Sequence, residues 1–175
     1  TGVVLDPDTR GCVVLRGEGP VFSAGVDLGE LAESSGQAGM LRPFREVFLE
    51  CANLCEEMAK PVVCQIHRTC VGGALEVALG CDLRIASSDA QLGLPEVKLG
   101  LIPGWGGTQR LPRIVGLSEA SDMLASARGH GAGTAQMSRL ADGTVGSERL
   151  VEEAAAVVGA NTVAGRAKKF LPLAA

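Results

Sequence analysis

The chain has 175 residues, of which 46% are hydrophobic and 21% are charged, a composition typical of one globular domain with a sizeable core. Its net charge of −4 and its few aromatic residues (four Phe, one Trp, no Tyr) argue against nucleic acid as a partner. No apolar run is long enough to span a membrane. The six cysteines show neither CxxC nor zinc-ribbon spacing, so we expect reduced thiols in an intracellular protein and no metal site.

Strand-like and helix-like segments alternate along the chain, which predicts an α/β domain. Short β-branched or apolar runs predict strands at residues 12–16, 62–66, 83–86 and 91–94. Helical spacing or composition predicts helices at residues 27–31 (with Asp27 as the N-cap), 41–58, 74–79, 108–114, 118–127, 147–158 and 164–170. Residues 33–39 have the composition of a loop, and no internal repeats are present.

A glycine pair, Gly72-Gly73, directly precedes the predicted helix at residues 74–79. A helix that begins on glycines presents unpaired N–H groups that a ligand oxygen can approach closely. A second small-residue turn, Gly25-Val26-Asp27, follows another strand, and two such turns at neighbouring strand ends can form an oxyanion hole. The simpler interpretation is a tight strand-to-helix turn with no catalytic role, and the residues alone do not decide between the two.

Two glutamates accompany these turns. Glu76 lies in the first turn of a helix whose other residues are apolar, so it is expected to be buried, although a solvated first-turn residue is the alternative. Glu96 follows Pro95 and precedes the glycine turn at residues 104–107. If the carboxyls are close, repulsion raises one apparent pKa, and the pair can act as acid and base in one cycle. There is no GxSxG, GxxxxGK[ST] or GxGxxG motif.

Three stretches, taken in order, closely resemble the enoyl-CoA hydratase/isomerase (crotonase) family: FSAGVDL, VGGALEVALGCDLRIAS and LGLPEVKLGLIPGWGGTQRLPRIVG. The resemblance implies a crotonase-like spiral of β-β-α turns in a single domain. It assigns residues 1–127 to the crotonase-like core and leaves residues 128–175 as a helical C-terminal segment that matches poorly and is apparently shortened. It also implies a homotrimer or a dimer of trimers, in the cytoplasm or the mitochondrial matrix rather than secreted.

The same resemblance implies roles for individual residues. Val26 and Gly73 supply the N–H groups that hold a thioester carbonyl, and Glu76 and Glu96 handle the protons of hydration. Gly104 matches the backbone position that helps to hold the attacking water. Ser23, Ala24, Gly25 and Asp27 match positions beside coenzyme A, which the substrate carries, and no prosthetic group is expected.

The intact glutamate pair favours an enoyl-CoA hydratase that adds water across a 2-enoyl-CoA double bond. An enoyl-CoA isomerase, which needs principally the Glu96 position, is the alternative within the family. A non-catalytic relative that binds acyl-CoA or a partner protein is the alternative from another class. Two departures from the family pattern bear on the site, namely Arg68 in place of a glycine before the oxyanion loop and Trp105 in place of a small residue in the glycine turn. The tryptophan either narrows the acyl pocket or points into the core.

Overall fold

The computed structural model describes residues 12–30, 41–153 and 156. Its strands are β1 (Val13–Arg16), β2 (Val62–Ile66), β3 (Thr69–Val71), β4 (Leu83–Ser87), β5 (Gln91–Gly93), β6 (His130–Gly131) and β7 (Gly143–Val145). Its helices are α1 (Leu41–Glu57), α2 (Gly73–Gly80), α3 (Gly107–Val115), α4 (Leu117–Ser126) and α5 (Ala132–Met137). Single 3₁₀ turns cover Glu96–Leu99 and Ser147–Arg149.

The larger sheet has the strand order β1-β2-β4-β7, and every pairing in it is parallel. All five residues of β2 are buried, as expected for an inner strand of a parallel sheet that is covered on both faces. Val62 pairs with Val13, and Val63 pairs with Leu83, which fixes the register of the two central ladders. Buried side chains of β2 and of helix α2 belong to the same hydrophobic core.

A smaller sheet, with the order β3-β5-β6, positions the candidate site. Strands β3 and β5 run parallel, and each leads directly into one part of the site: β3 into helix α2, and β5 toward Glu96. Ser23 forms an isolated parallel bridge with Cys70 of β3, which brings the loop after β1 to the same edge. Three chain segments that are far apart in sequence therefore end side by side.

Helix α2 begins at Gly73 and is largely buried, as the sequence predicts. Its neighbour α1 approaches closely at Gly80, because a Cβ there would overlap the backbone of Ala52. The missing side chain at Gly80 therefore allows the two helices to touch, and Leu75, Ala78 and Leu79 of α2 are fully buried in the main core.

The α/β expectation is confirmed, and the four predicted strands are present within a residue or two of their expected ends. Helical residues 28–30 follow Asp27, whose Oδ1 accepts hydrogen bonds from the N–H groups of Gly29 (2.7 Å) and Glu30 (3.3 Å), as the predicted cap requires. Strands β3, β6 and β7 were not predicted. The expected loop at 33–39 and the expected helix at 164–170 lie outside the described residues, and the division at residue 127 stays a prediction.

All six cysteines lie in the described part of the chain and none forms a disulfide bond; four of them are buried, namely Cys12, Cys64, Cys70 and Cys81. Burial raises the pKa of Cys64 and of Cys70 above the ordinary thiol value, which marks them as packing residues rather than nucleophiles. No helix in the described ranges is both long enough and apolar enough to cross a membrane.

Candidate active site

The site is built around the first turn of α2. Gly72 has a φ of 60°, and its N–H donates to the carbonyl of Gly93 at the end of β5 (2.9 Å). Its carbonyl in turn accepts from the N–H groups of Leu75 (2.8 Å) and Glu76 (3.1 Å), which starts the helix. A positive φ is readily adopted by glycine, so Gly72 lets β3 turn sharply into α2.

The turn at residues 23–27 lies against this helix start. Ser23 donates its N–H to the carbonyl of Thr69 (2.9 Å), and its own carbonyl accepts from Val71 (3.3 Å). Gly25 has a φ of 91°, and a Cβ there would lie 2.9 Å from the Val71 carbonyl oxygen and 3.4 Å from the Gly73 nitrogen. The turn that carries Val26 is therefore in contact with the turn that carries Gly73. The sequence predicts two neighbouring small-residue turns, and the fold brings them to one point.

Glu76 is a buried carboxylate that backbone donors hold in place. It is 2% exposed, and its Oε1 accepts hydrogen bonds from the N–H groups of Trp105 (2.8 Å) and Gly107 (2.8 Å). Burial raises the pKa of Glu76, while the N–H groups of Gly107 and Trp105, the charge of Arg110 and the N–H of Gly104 oppose that rise. The glycine turn at residues 104–107 thus forms a cradle for one carboxylate oxygen of Glu76.

Glu96 has a different environment. It begins the 3₁₀ turn after β5, and its Oε1 lies over Gly72, 3.3 Å from where a Cβ on that glycine would stand. Its Oε2 is buried and has no hydrogen-bond partner among the described residues. Burial, together with the negative charge of Glu76, raises the pKa of Glu96 to about 7. The carboxyl of Glu96 is therefore partly protonated at neutral pH, and it interacts electrostatically with Glu76.

Arg110 supports the site, and sequence reasoning missed it. It lies in α3 with 5% of its surface exposed. Its guanidinium donates to the Trp105 carbonyl (3.1 Å), to Asn53 Oδ1 (2.6 Å) and to Glu56 Oε2 (2.9 Å). The glycine turn is therefore fastened to helix α1 by a buried cation. The only sequence signal was an arginine shortly after a glycine turn, and its two partners on helix α1 lie more than fifty residues away.

Trp105 lies at the site rather than in the core. Its ring stacks on Phe48 of α1, with centroids 4.3 Å apart and an interplanar angle of 13°. The indole also lies against Gly73, where an added Cβ would overlap the ring. Neither aromatic side chain belongs to the main buried cluster. Of the two expectations for Trp105, a position in the core is not observed, and a narrowed acyl pocket stays a prediction.

The residues expected near coenzyme A lie together on one exposed turn. Ser23 accepts the Gly25 N–H through its Oγ (3.2 Å), Ala24 is exposed, and the carboxylate of Asp27 caps the helical residues 28–30. Their expected contact with coenzyme A stays a prediction. Among the described residues no cluster of His, Cys, Asp or Glu has the arrangement of a metal site. A separate open cleft of about 400 Å³ is lined by Arg16, Gln65, His67 and Arg68 among others, and neither glutamate lines it.

The architecture is the crotonase fold, which solved structures share over most of this chain. An enoyl-CoA hydratase from Bacillus anthracis superposes with a TM-score of 0.80 at 34% identity, covering 86% of this chain and 58% of that chain. A second structure, from Geobacillus kaustophilus HTA426, gives a TM-score of 0.81 at 30% identity over 88% of this chain and 59% of that chain. The predicted spiral α/β fold in a single domain is confirmed.

The chain belongs to the enoyl-CoA hydratase/isomerase family, which it matches over residues 4–168. A probable enoyl-CoA hydratase of Bacillus subtilis (strain 168) is 42% identical over 116 residues, which are 65% of this chain and 44% of that relative. The peroxisomal fatty acid beta-oxidation multifunctional protein AIM1 of Arabidopsis thaliana is 47% identical over 113 residues, 16% of its length. The chain therefore spans less than two thirds of the length of these relatives.

Proposed function

We propose that the chain hydrates 2-enoyl-CoA thioesters. One observation carries the proposal: Glu76 lies in the first turn of α2, Glu96 Oε1 lies beside Gly72, and the two charges interact next to the contact between the Gly25 and Gly73 turns. A thioester oxygen held at the N–H groups of Val26 and Gly73 would receive the negative charge that develops during conjugate addition. Removing one such donor typically costs about 3–4 kcal/mol of transition-state stabilisation.

The environments of the glutamates support a division of roles. Donors hold Glu76 as an oriented carboxylate, which suits a base that removes a proton from water. The pKa of about 7 suits Glu96 to act as an acid at neutral pH. The oxygen of water bonds to the β-carbon while its proton passes to Glu76. The electrons of the double bond move into the thioester enolate, and Glu96 then gives its proton to the α-carbon.

Three further elements complete the proposal. Gly104 opens the turn that cradles Glu76, so its backbone is suitably placed to help hold the attacking water. Ser23, Ala24, Gly25 and Asp27 line the side by which coenzyme A enters as part of the substrate, and the reaction needs no prosthetic group. A homotrimer or a dimer of trimers, located in the cytoplasm or the mitochondrial matrix, follows from family resemblance and belongs to the proposal.

The isomerase alternative also has a specific observation in its favour. Two N–H groups already engage Oε1 of Glu76, whereas Glu96 has a buried oxygen without a partner among the described residues. An enzyme that needs only one mobile carboxyl would use Glu96 to remove and return a proton. The two reactions differ in product, because hydration gives a 3-hydroxyacyl thioester and isomerisation only moves the double bond.

The direct test is to incubate the purified chain with crotonyl-CoA and to identify the product by mass spectrometry. The proposal predicts a 3-hydroxybutyryl thioester that gains the mass of one water. A parallel incubation with 3-hexenoyl-CoA tests double-bond migration. Migration without hydration would favour the isomerase, and turnover of neither thioester would favour the non-catalytic relative.

A further inference from the structure

The proposed reaction does not require the side chain of Trp105. Neither the proton transfers by the two glutamates nor the N–H groups of the Gly25 and Gly73 turns depend on it. The backbone of this residue holds Glu76, whereas its indole extends away to lie between Gly73 and Phe48. The ring is half-buried and lies outside the main core. A large apolar side chain that lies outside the core and beside Gly73 is expected to have a role of its own.

The position of the indole relates it to the acyl group. A thioester oxygen at Gly73 would place the α- and β-carbons near Glu76 and Glu96, because Glu76 lies in the first turn of α2 and the Oε1 of Glu96 lies beside Gly72. The remaining acyl carbons must then leave from this point past the residues that surround Gly73. The indole fills the space directly beside Gly73, and Phe48 stands behind it at stacking distance. A stacked aromatic pair forms a rigid pocket wall, because close packing with neighbouring atoms keeps both rings in place.

Contacts with helix α1 hold the Trp105–Phe48 stack in place. Phe48 lies on the same helix as Asn53 and Glu56, which hold Arg110, and Arg110 holds the Trp105 carbonyl. Leu49 of α1 also packs near the glycine turn, 3.6 Å from where a Cβ on Gly106 would stand. The backbone of Trp105 and its ring are therefore both in contact with residues of α1 or with their partner Arg110, and the indole cannot turn aside without losing the stack on Phe48.

We propose that the Trp105–Phe48 stack limits the length of the acyl group and restricts the chain to short 2-enoyl thioesters. This inference rests on the proposed hydration. A hydrophobic pocket discriminates by about 1–3 kcal/mol per methylene that it accepts or refuses, so a closed wall gives a large preference between chains that differ by several carbons.

The test compares kcat/KM for crotonyl-CoA and 2-decenoyl-CoA in the wild type, in Trp105→Ala and in Trp105→Phe. We expect the wild type to favour the short substrate by about 100-fold or more. Trp105→Ala should reduce this preference at least tenfold, because a cavity replaces the ring. Trp105→Phe is the matched control, since it keeps an aromatic wall, and its preference should stay within about threefold of the wild type. The ratio within each variant cancels any general loss of activity.

Phe48→Ala provides a second variant if Trp105→Ala does not fold, and it must shift the preference in the same direction. Trp105 is the only tryptophan of the chain, so its fluorescence reports on ligands at the site. In the wild type, butyryl-CoA should change the emission at lower concentration than decanoyl-CoA. An unchanged length preference in both alanine variants, with hydration intact, would overturn this inference alone. Absence of hydration at every chain length would overturn it together with the proposed function.

Discussion

The two carboxyls of the site have different hydrogen-bonding environments, although both are associated with the start of helix α2. Glu76 receives two backbone hydrogen bonds and lies near the charge of Arg110. Glu96 has a buried oxygen with no hydrogen bond from the described residues, and its pKa is raised to about 7. Burial raises the pKa of both groups, but donors and a cation oppose that rise at Glu76, whereas the negative charge of Glu76 adds to it at Glu96. This contrast allows one site to contain a base and an acid together.

The largest expected effect comes from removing either carboxyl. Glu76→Gln and Glu96→Gln nearly preserve shape while removing proton transfer, so each should lower kcat for crotonyl-CoA hydration by roughly 10²–10⁴-fold. The double variant should lose less than the product of the single losses, because the two residues act as a unit. Acyl-CoA binding, followed by Trp105 fluorescence, should persist in both. Wild-type turnover in either single variant would contradict the division of roles.

The next largest effect concerns Arg110, the buried cation near Glu76. Arg110→Met leaves the Trp105 carbonyl and Glu56 without their shared partner, and we expect the free energy of unfolding to fall by about 3 kcal/mol. Urea denaturation measures this change. The matched control is Arg128→Met, which breaks ion pairs of a half-exposed arginine and should cost about 0–1 kcal/mol. Equal losses in the two variants would mean that Arg110 is not a special support.

A smaller effect is expected where Gly73 touches the indole. In Gly73→Ala the new Cβ overlaps the Trp105 ring, so overpacking should destabilise the fold by about 1–3 kcal/mol and disturb the glycine turn. In the double variant Gly73→Ala/Trp105→Ala the ring is absent, so the new Cβ has nothing to overlap. Thermal unfolding of the four forms gives the coupling energy, and the double variant should be more stable than the two single losses predict. Simple additivity would indicate that the ring is free to move away.

The smallest effect concerns stability against pH. The folded pKa of Glu96 is raised from 4.5 to about 7, so its ionisation opposes folding as pH rises through this interval. Glu96→Gln should therefore be as stable as the wild type below about pH 4.5 and more stable above pH 7. After allowance for solvent screening we expect a gain of about 1–2 kcal/mol. Unfolding curves at pH 5 and pH 8 check the sign, and a gain confined to the acidic side would contradict it.

The sequence predicts those features of the site that depend on residues close together in the chain. Gly72-Gly73 followed by an apolar run predicts both the helix start and the burial of Glu76, and both are observed. Strands β6 and β7 escape prediction because each has only two or three residues and exists through pairing with distant strands. The direction of the Trp105 side chain likewise depends on Phe48, which lies far away in the sequence.

The pH dependence of kcat/KM for crotonyl-CoA hydration by the wild type tests the central claim most directly. If Glu96 acts as the acid, kcat/KM should fall as pH rises, with an apparent pKa of about 7 that belongs to the coupled pair. Glu76→Gln should lower the apparent pKa of this descending limb, because it removes the negative charge that helps to raise the pKa of Glu96. A kcat/KM that rises with pH through the same interval, and still does so in Glu76→Gln, would mean that Glu96 must be ionised to act, and would contradict the account.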